Sequence, residues 1–115
     1  MSKCYVIYEQ IGNFADEVYY TDIWNDAQEY LTRRWWDYCA ENGVDLYDEA
    51  EEELFYSYFS IDEVDAYCIK DKDGYILESA MPYNHAVNHV NKLENDDRND
   101  GIYEEGFYII ERCKL

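Results

Sequence analysis

Asp65-Ala66-Tyr67-Cys68-Ile69-Lys70, then Asp71-Lys72-Asp73-Gly74, then Tyr75-Ile76-Leu77-Glu78 is the stretch from which the fold is read. Two apolar runs on either side of an Asp/Gly cluster form the pattern of a β-hairpin. Downstream, Pro82 stands where the first turn of a helix tolerates a missing N–H. Tyr83, Ala86, Val87, Val90 and Leu93 then recur at helical spacing. This predicts a helix over 82–98, stopped by Asn99-Asp100-Gly101. Residues 107–113, rich in Ile and aromatic types, read as a last strand.

Upstream of the hairpin, residues 3–10 are β-branched and aromatic with little alternation, as in a central strand. Gly12-Asn13 breaks it, and 15–20 extends as a short second strand. Thr21 and Asp22 are N-cap types for a helix over 23–42 that Gly43 ends. Its stripe is Ile23, Trp24, Ala27, Tyr30, Leu31, Trp35 and Tyr38. A further helix over 47–59 has Tyr47, Ala50, Leu54 and Tyr58 on one stripe and carboxylates on the other face. The order β-α-(α)-β-β-α-β predicts an α+β, ferredoxin-like fold. Its mostly antiparallel sheet would have the first and last strands central, helices on one face and an additional acidic helix. Length permits a single domain over 1–115.

The chain carries 27 Asp and Glu against 9 Lys and Arg, a net charge of −18. Apolar types make up 48% and aromatics 18%, so this is a chain with a core, not a disordered acidic tail. A nucleic-acid binder needs a cationic patch, and an anionic membrane surface repels this charge; both are excluded as direct partners. A basic protein, a metal ion or plain solubility remain. Cys4, Cys39, Cys68 and Cys113 form no CxxC pair, and no apolar leader or long apolar run is present. The expectation is therefore buried thiols and the cytoplasm of a cell.

Chemistry-bearing motifs are sparse. His85 and His89 have ligand spacing on a helix, but His-Ala-Val-Asn-His lacks the Glu of HExxH and no third ligand is indicated. Aligning Gly74 with a calcium loop puts Ile69 and Ala80 at ligand positions, which neither can fill. There is no GxSxG elbow and no phosphate-binding glycine loop. No catalytic residue, cofactor or metal is assigned.

Carboxylates cluster at Asp45, Asp48, Glu49, Glu51, Glu52 and Glu53, at Asp62, Glu63 and Asp65, and from Glu94 through Asp96, Asp97 and Asp100 to Glu104 and Glu105. No Lys or Arg occurs from residue 45 to 65. Asp48/Glu52 and Glu49/Glu53 are like-charge pairs at i, i+4, each costing a few tenths of a kcal/mol. Carboxylates regularly spaced on a rigid scaffold can imitate duplex phosphates and engage a basic groove; a merely solvated helix face is the plainer alternative. Trp36 falls away from the apolar stripe and is an anchor candidate. Arg34 falls inside the stripe, where it would snorkel or pair with a carboxylate from the sheet.

In size, charge and these acidic segments the chain resembles the small acidic proteins of phages and mobile elements, namely DNA-mimic antirestriction proteins and anti-CRISPR inhibitors. The resemblance implies an inhibitor that binds a host defence or nucleic-acid-processing protein at its nucleic-acid-binding surface, inside a bacterial host cell. The partner-binding residues expected from the charge pattern are Asp48, Glu49, Glu51, Glu52, Glu53, Glu94, Asp96, Asp97 and Asp100, with Trp36 as apolar anchor. Two alternatives differ in class. One is a small adaptor whose acidity only steers and solubilises. The other is a counter-defence protein that binds or cleaves a small molecule, for which Arg33, Arg34 or Lys70 would have to build a local cationic pocket.

Overall fold

The computed structural model describes residues 2–114. Along the chain lie β1 (Lys3–Ile11), β2 (Phe14–Thr21), α1 (Trp24–Asn42), α2 (Glu49–Tyr56), β3 (Phe59–Asp65), β4 (Tyr67–Asp71), β5 (Ile76–Met81), α3 (Tyr83–Asn99) and β6 (Tyr108–Arg112). The strands form two three-stranded sheets, ordered β2-β1-β3 and β5-β4-β6. The fold is α+β, as the sequence predicts, but the single ferredoxin-like sheet is not what forms. Residues 14–21 make a full strand that pairs antiparallel with β1, from Ile11↔Phe14 to Tyr5↔Thr21. Residues 59–65, inside the acidic run, make a further strand that the helical reading of 47–59 concealed. β1 is central in its own sheet, whereas β6, the last strand, is an outer one.

Both sheets follow one plan: a hairpin, then helix, then a strand laid on the free edge of the hairpin's first strand. The sequence shows no repeat, so the likeness lies in topology alone. The chain divides into two compact units, Tyr5–Glu63 and the remaining described residues, 2–4 and 64–114.

In the unit Tyr5–Glu63 the core is Val6, Ile7, Ala27, Trp35 and Cys39, all nearly inaccessible. α1 begins after Ile23, which has extended backbone and no side-chain cap. Neither Thr21 nor Asp22 caps it in the expected way. Thr21 is buried instead, and its hydroxyl accepts the Ile23 N–H at 3.1 Å. Gly43 ends the helix at φ 65°, a left-handed turn that glycine adopts without a Cβ clash. α2 is shorter than expected and turns a different face inward. Tyr47, Leu54 and Tyr58 are exposed. Phe55 and Tyr56 are half-buried instead, and both rings pack on Trp35. With only eight residues of helix, Tyr47 and Tyr58 lie outside it and cannot extend the stripe.

In the other unit, Cys4, Ala66, Cys68 and Cys113 form a small core against which Val64 packs, with Ile69, Met81 and Ala86 also buried. Asp71–Gly74 makes the expected hairpin turn: Asp71 Oδ1 accepts the N–H of Asp73 and Tyr75, and Gly74 has φ 91°. Helix α3 starts one residue later than predicted, with Pro82 as its extended N-cap. It buries Ala86, with Val87, Val90 and Leu93 half-buried, whereas Tyr83 of the expected stripe is exposed. Cys68 and Cys113 form a disulfide across 45 residues, which overturns the expectation of four thiols. The pairing follows from register: β4 and β6 run antiparallel with Tyr67↔Arg112 and Cys68↔Glu111, which brings Cys113 beside the start of β4. Cys4 and Cys39 stay as buried thiols.

Candidate functional site

The acidic helix is built by local chemistry first. The Asp48 side chain caps α2 by accepting the Glu51 N–H at 3.1 Å. Glu49, Glu51 and Glu52 sit in the first turn, where the positive end of the helix dipole favours carboxylates. That term offsets part of the i, i+4 repulsion, so charge on α2 is locally less unfavourable than spacing alone indicates. Glu49 and Glu53 are exposed, while Glu51 and Glu52 are half-buried. Among the described residues, none of these five carboxylates enters an ion pair.

Beside α2 lies a pocket of about 500 Å³. Its carboxylates are Glu9, Asp37, Glu41 and Glu51. Its apolar walls are Tyr38, Phe55, Tyr58, Phe59 and Leu54. One cation, Arg34, lines it as well. Residues 34, 37, 38 and 41 share a face of α1 by helical pitch, and the Tyr38 ring packs at a tilt against Phe55 of α2 at 5.1 Å between centroids. Arg34 does what its place in the stripe predicts. Its Nη2 donates to Glu9 Oε1 on β1 at 3.1 Å, its Nη1 donates to the Tyr30 hydroxyl, and its guanidinium lies 5.5 Å from the Phe59 ring centroid. Burial alone would lower the Arg34 pKa, but Tyr30 and Glu9 outweigh it and hold the guanidinium above its ordinary value. The field of α2 also reaches Cys39: burial first, then Asp45, Glu52, Asp48 and Glu51, push its thiol pKa up and keep it unreactive.

Arg34→Met keeps the stem and removes the charge. It is expected to cost about 1–2 kcal/mol, since the Glu9 pair is only partly shielded and the ring contact adds a little. Urea unfolding of the variant measures it; a change below about 0.5 kcal/mol would mean the pair contributes nothing.

The structure separates other expected site residues. Trp36 is 56% exposed and its neighbour Trp35 only 3%, as the stripe predicts. Trp36 stands roughly 200° around α1 from Tyr38 by helical pitch, so it does not anchor the pocket face. Glu94, Asp96, Asp97 and Asp100 belong to the other unit. Asp97 accepts the Tyr108 hydroxyl at 2.6 Å, tying α3 to β6. That bond, with burial and the charges of Asp97, Glu94 and Asp96, pushes the Tyr108 phenol up to about 12. Glu94, Asp96 and Asp97 lie at the C-terminal end of α3, where the dipole disfavours negative charge, and only Arg98 there is basic. Asp97 is accounted for by its bond to Tyr108; the exposed Asp96 has no such side-chain bond among the described residues.

A cationic small-molecule pocket finds no support in the three expected residues. Arg33 pairs with Glu29 at 3.0 Å, Arg34 with Glu9 at 3.1 Å and Lys70 with Glu111 at 2.6 Å. His89 Nε2 lies 3.9 Å from Glu78 Oε1, and His85 is half-buried. Among the described residues, no group of three His, Cys, Asp or Glu side chains converges as a metal site requires. Among those residues, too, no helix is long and apolar enough to cross a membrane. What sequence reasoning missed is the pocket itself, because it depends on which face α2 turns inward. The Phe55-Tyr56 and Tyr58-Phe59 pairs were its only signal. No protein-family model matches the chain, and neither does any curated protein or solved structure.

Proposed function

We propose that this chain is a non-enzymatic inhibitor that binds a basic protein surface. The surface meant is the nucleic-acid-binding groove of a host defence or nucleic-acid-processing protein, which it would block by charge mimicry. The observation that carries the reading is the carboxylate face of α2, which enters no ion pair among the described residues, with the acidic pocket beside it. The exposed Asp96, placed against the dipole at the end of α3, supports it, for it is kept at a local cost. Glu49 and Glu53 on α2, and Asp96 and Asp100 on the other unit, are exposed and are the contact residues proposed first.

The test is capture of a basic nucleic-acid-binding protein from a bacterial lysate, followed by elution with duplex DNA. Mimicry predicts release by DNA and an affinity that falls steeply between about 50 and 200 mM salt. Glu49→Lys with Glu53→Lys is expected to weaken capture at least about tenfold. Binding that DNA does not displace and salt does not weaken would sink the mimicry. A second reading, an adaptor that docks through the exposed Trp36, has its own signature. There Trp36→Ala would abolish capture and the charge reversal would be tolerated.

A further inference from the structure

The pocket in the unit Tyr5–Glu63 already holds a guanidinium at one end. Arg34 lies between the Glu9 carboxylate and the face of Phe59, and that pair of contacts is how a planar cation is recognised. The rest of the cavity is lined by the same two elements, carboxylates and rings. Asp37, Glu41 and Glu51 line it and enter no ion pair among the described residues. Tyr38 and Tyr58 supply further ring surface, and Tyr58 is 50% exposed. At about 500 Å³ the space exceeds one side chain, and its charge repels a nucleotide or any other anion.

We propose that this pocket is the subsite for an arginine side chain of the basic partner, with the guanidinium forked onto Asp37 and Glu41 and stacked against tyrosine. The proposal rests on the inhibitor reading above and specifies what the partner inserts. Arginine is preferred to lysine because the planar group meets two carboxylates in a fixed fork and stacks on rings, while an ammonium does neither as well. α2 alone, as a charged face, would show no such preference.

The experiment is an amide-resolved NMR titration of the folded chain at low salt. The two probes are blocked tripeptides, acetyl-Gly-Arg-Gly-amide and acetyl-Gly-Lys-Gly-amide. The expected result is perturbation centred on Asp37, Glu41, Leu54 and Tyr58, with the arginine probe several-fold tighter. Asp37→Asn with Glu41→Gln should weaken it roughly tenfold. Glu49→Gln with Glu53→Gln removes the same charge outside the pocket and should change it less than about twofold. All four residues are exposed, so neither pair threatens folding. Equal losses from the two pairs, equal affinity for the two probes, or shifts spread along α2 would each overturn the assignment. The inhibitor reading is judged separately, by DNA-displaced capture. If capture survives Asp37→Asn with Glu41→Gln unchanged, that reading stands and the pocket assignment falls.

Discussion

Reducing the Cys68–Cys113 disulfide lowers the stability of its unit by about 4 kcal/mol, on the chain-entropy estimate for a loop of this length. The bond closes 45 residues that include β5, α3 and β6. In the unfolded chain that closure removes far more freedom than in the folded one, where Cα–Cα is already 5.6 Å. Urea unfolding with and without a thiol reductant measures the effect, and Cys113→Ala should reproduce it without reductant. Both cysteines also belong to the small core with Cys4 and Ala66, so the alanine variant loses some packing as well. Identical unfolding midpoints in the two conditions would show that the cross-link constrains nothing. Ion pairs nearby do not replace it: Lys3 and Arg112 reach Asp65 at 2.6 and 2.9 Å, but all three are partly solvated. The Lys3 bond, with Arg112 adding to it against the effect of burial, holds the Asp65 carboxyl below its usual pKa.

Ile7→Ala is the second large effect, a loss of about 3–4 kcal/mol. Ile7 is fully buried on β1, the central strand of its sheet, opposite Tyr19 of β2. Truncation leaves a cavity that strands on both sides of β1 keep from collapsing, so both the transfer and the cavity terms are felt. Ile11→Ala on the same strand is the control, since Ile11 is 49% exposed and should move by less than about 0.5 kcal/mol. Guanidinium unfolding of both variants checks the pair. Similar losses at the two positions would mean that the strand's inner and outer ends are not distinguished by burial.

Much of the local structure was legible because short-range chemistry decides it. Gly43, Pro82 and the Asp71–Gly74 turn mark three boundaries through backbone preferences that need no tertiary context. Trp36 outward, Trp35 inward and Arg34 paired with a sheet carboxylate all follow from the pitch of one long helix. What could not be read depends on comparing distant segments. The 59–65 strand has Phe59, Ile61 and Val64 on a half-buried pattern, but its acids and the adjoining helix masked the period. The inward face of α2 is set by the rings of Tyr38, Tyr56 and Phe59 meeting Trp35 and Phe55, an area term that outweighs a regular stripe on so short a helix. The Cys68–Cys113 pairing likewise needed the β4–β6 register. Of the candidate site, the charges were visible one by one in the sequence; the concavity that gathers Asp37, Glu41 and Glu51 around rings was not.

The two-sheet plan gives the charge another consequence. β2 and β3 are the outer strands of one sheet, and β5 and β6 those of the other. An outer strand presents backbone groups on which a second chain can polymerise. Asp16 and Glu17 sit on β2, Asp62 and Glu63 on β3, and Glu78 on β5. Two copies approaching edge to edge would set these carboxylates against one another across a strand pair, where like charges repel. The acidity of these borders therefore acts as a barrier to edge-to-edge self-templating.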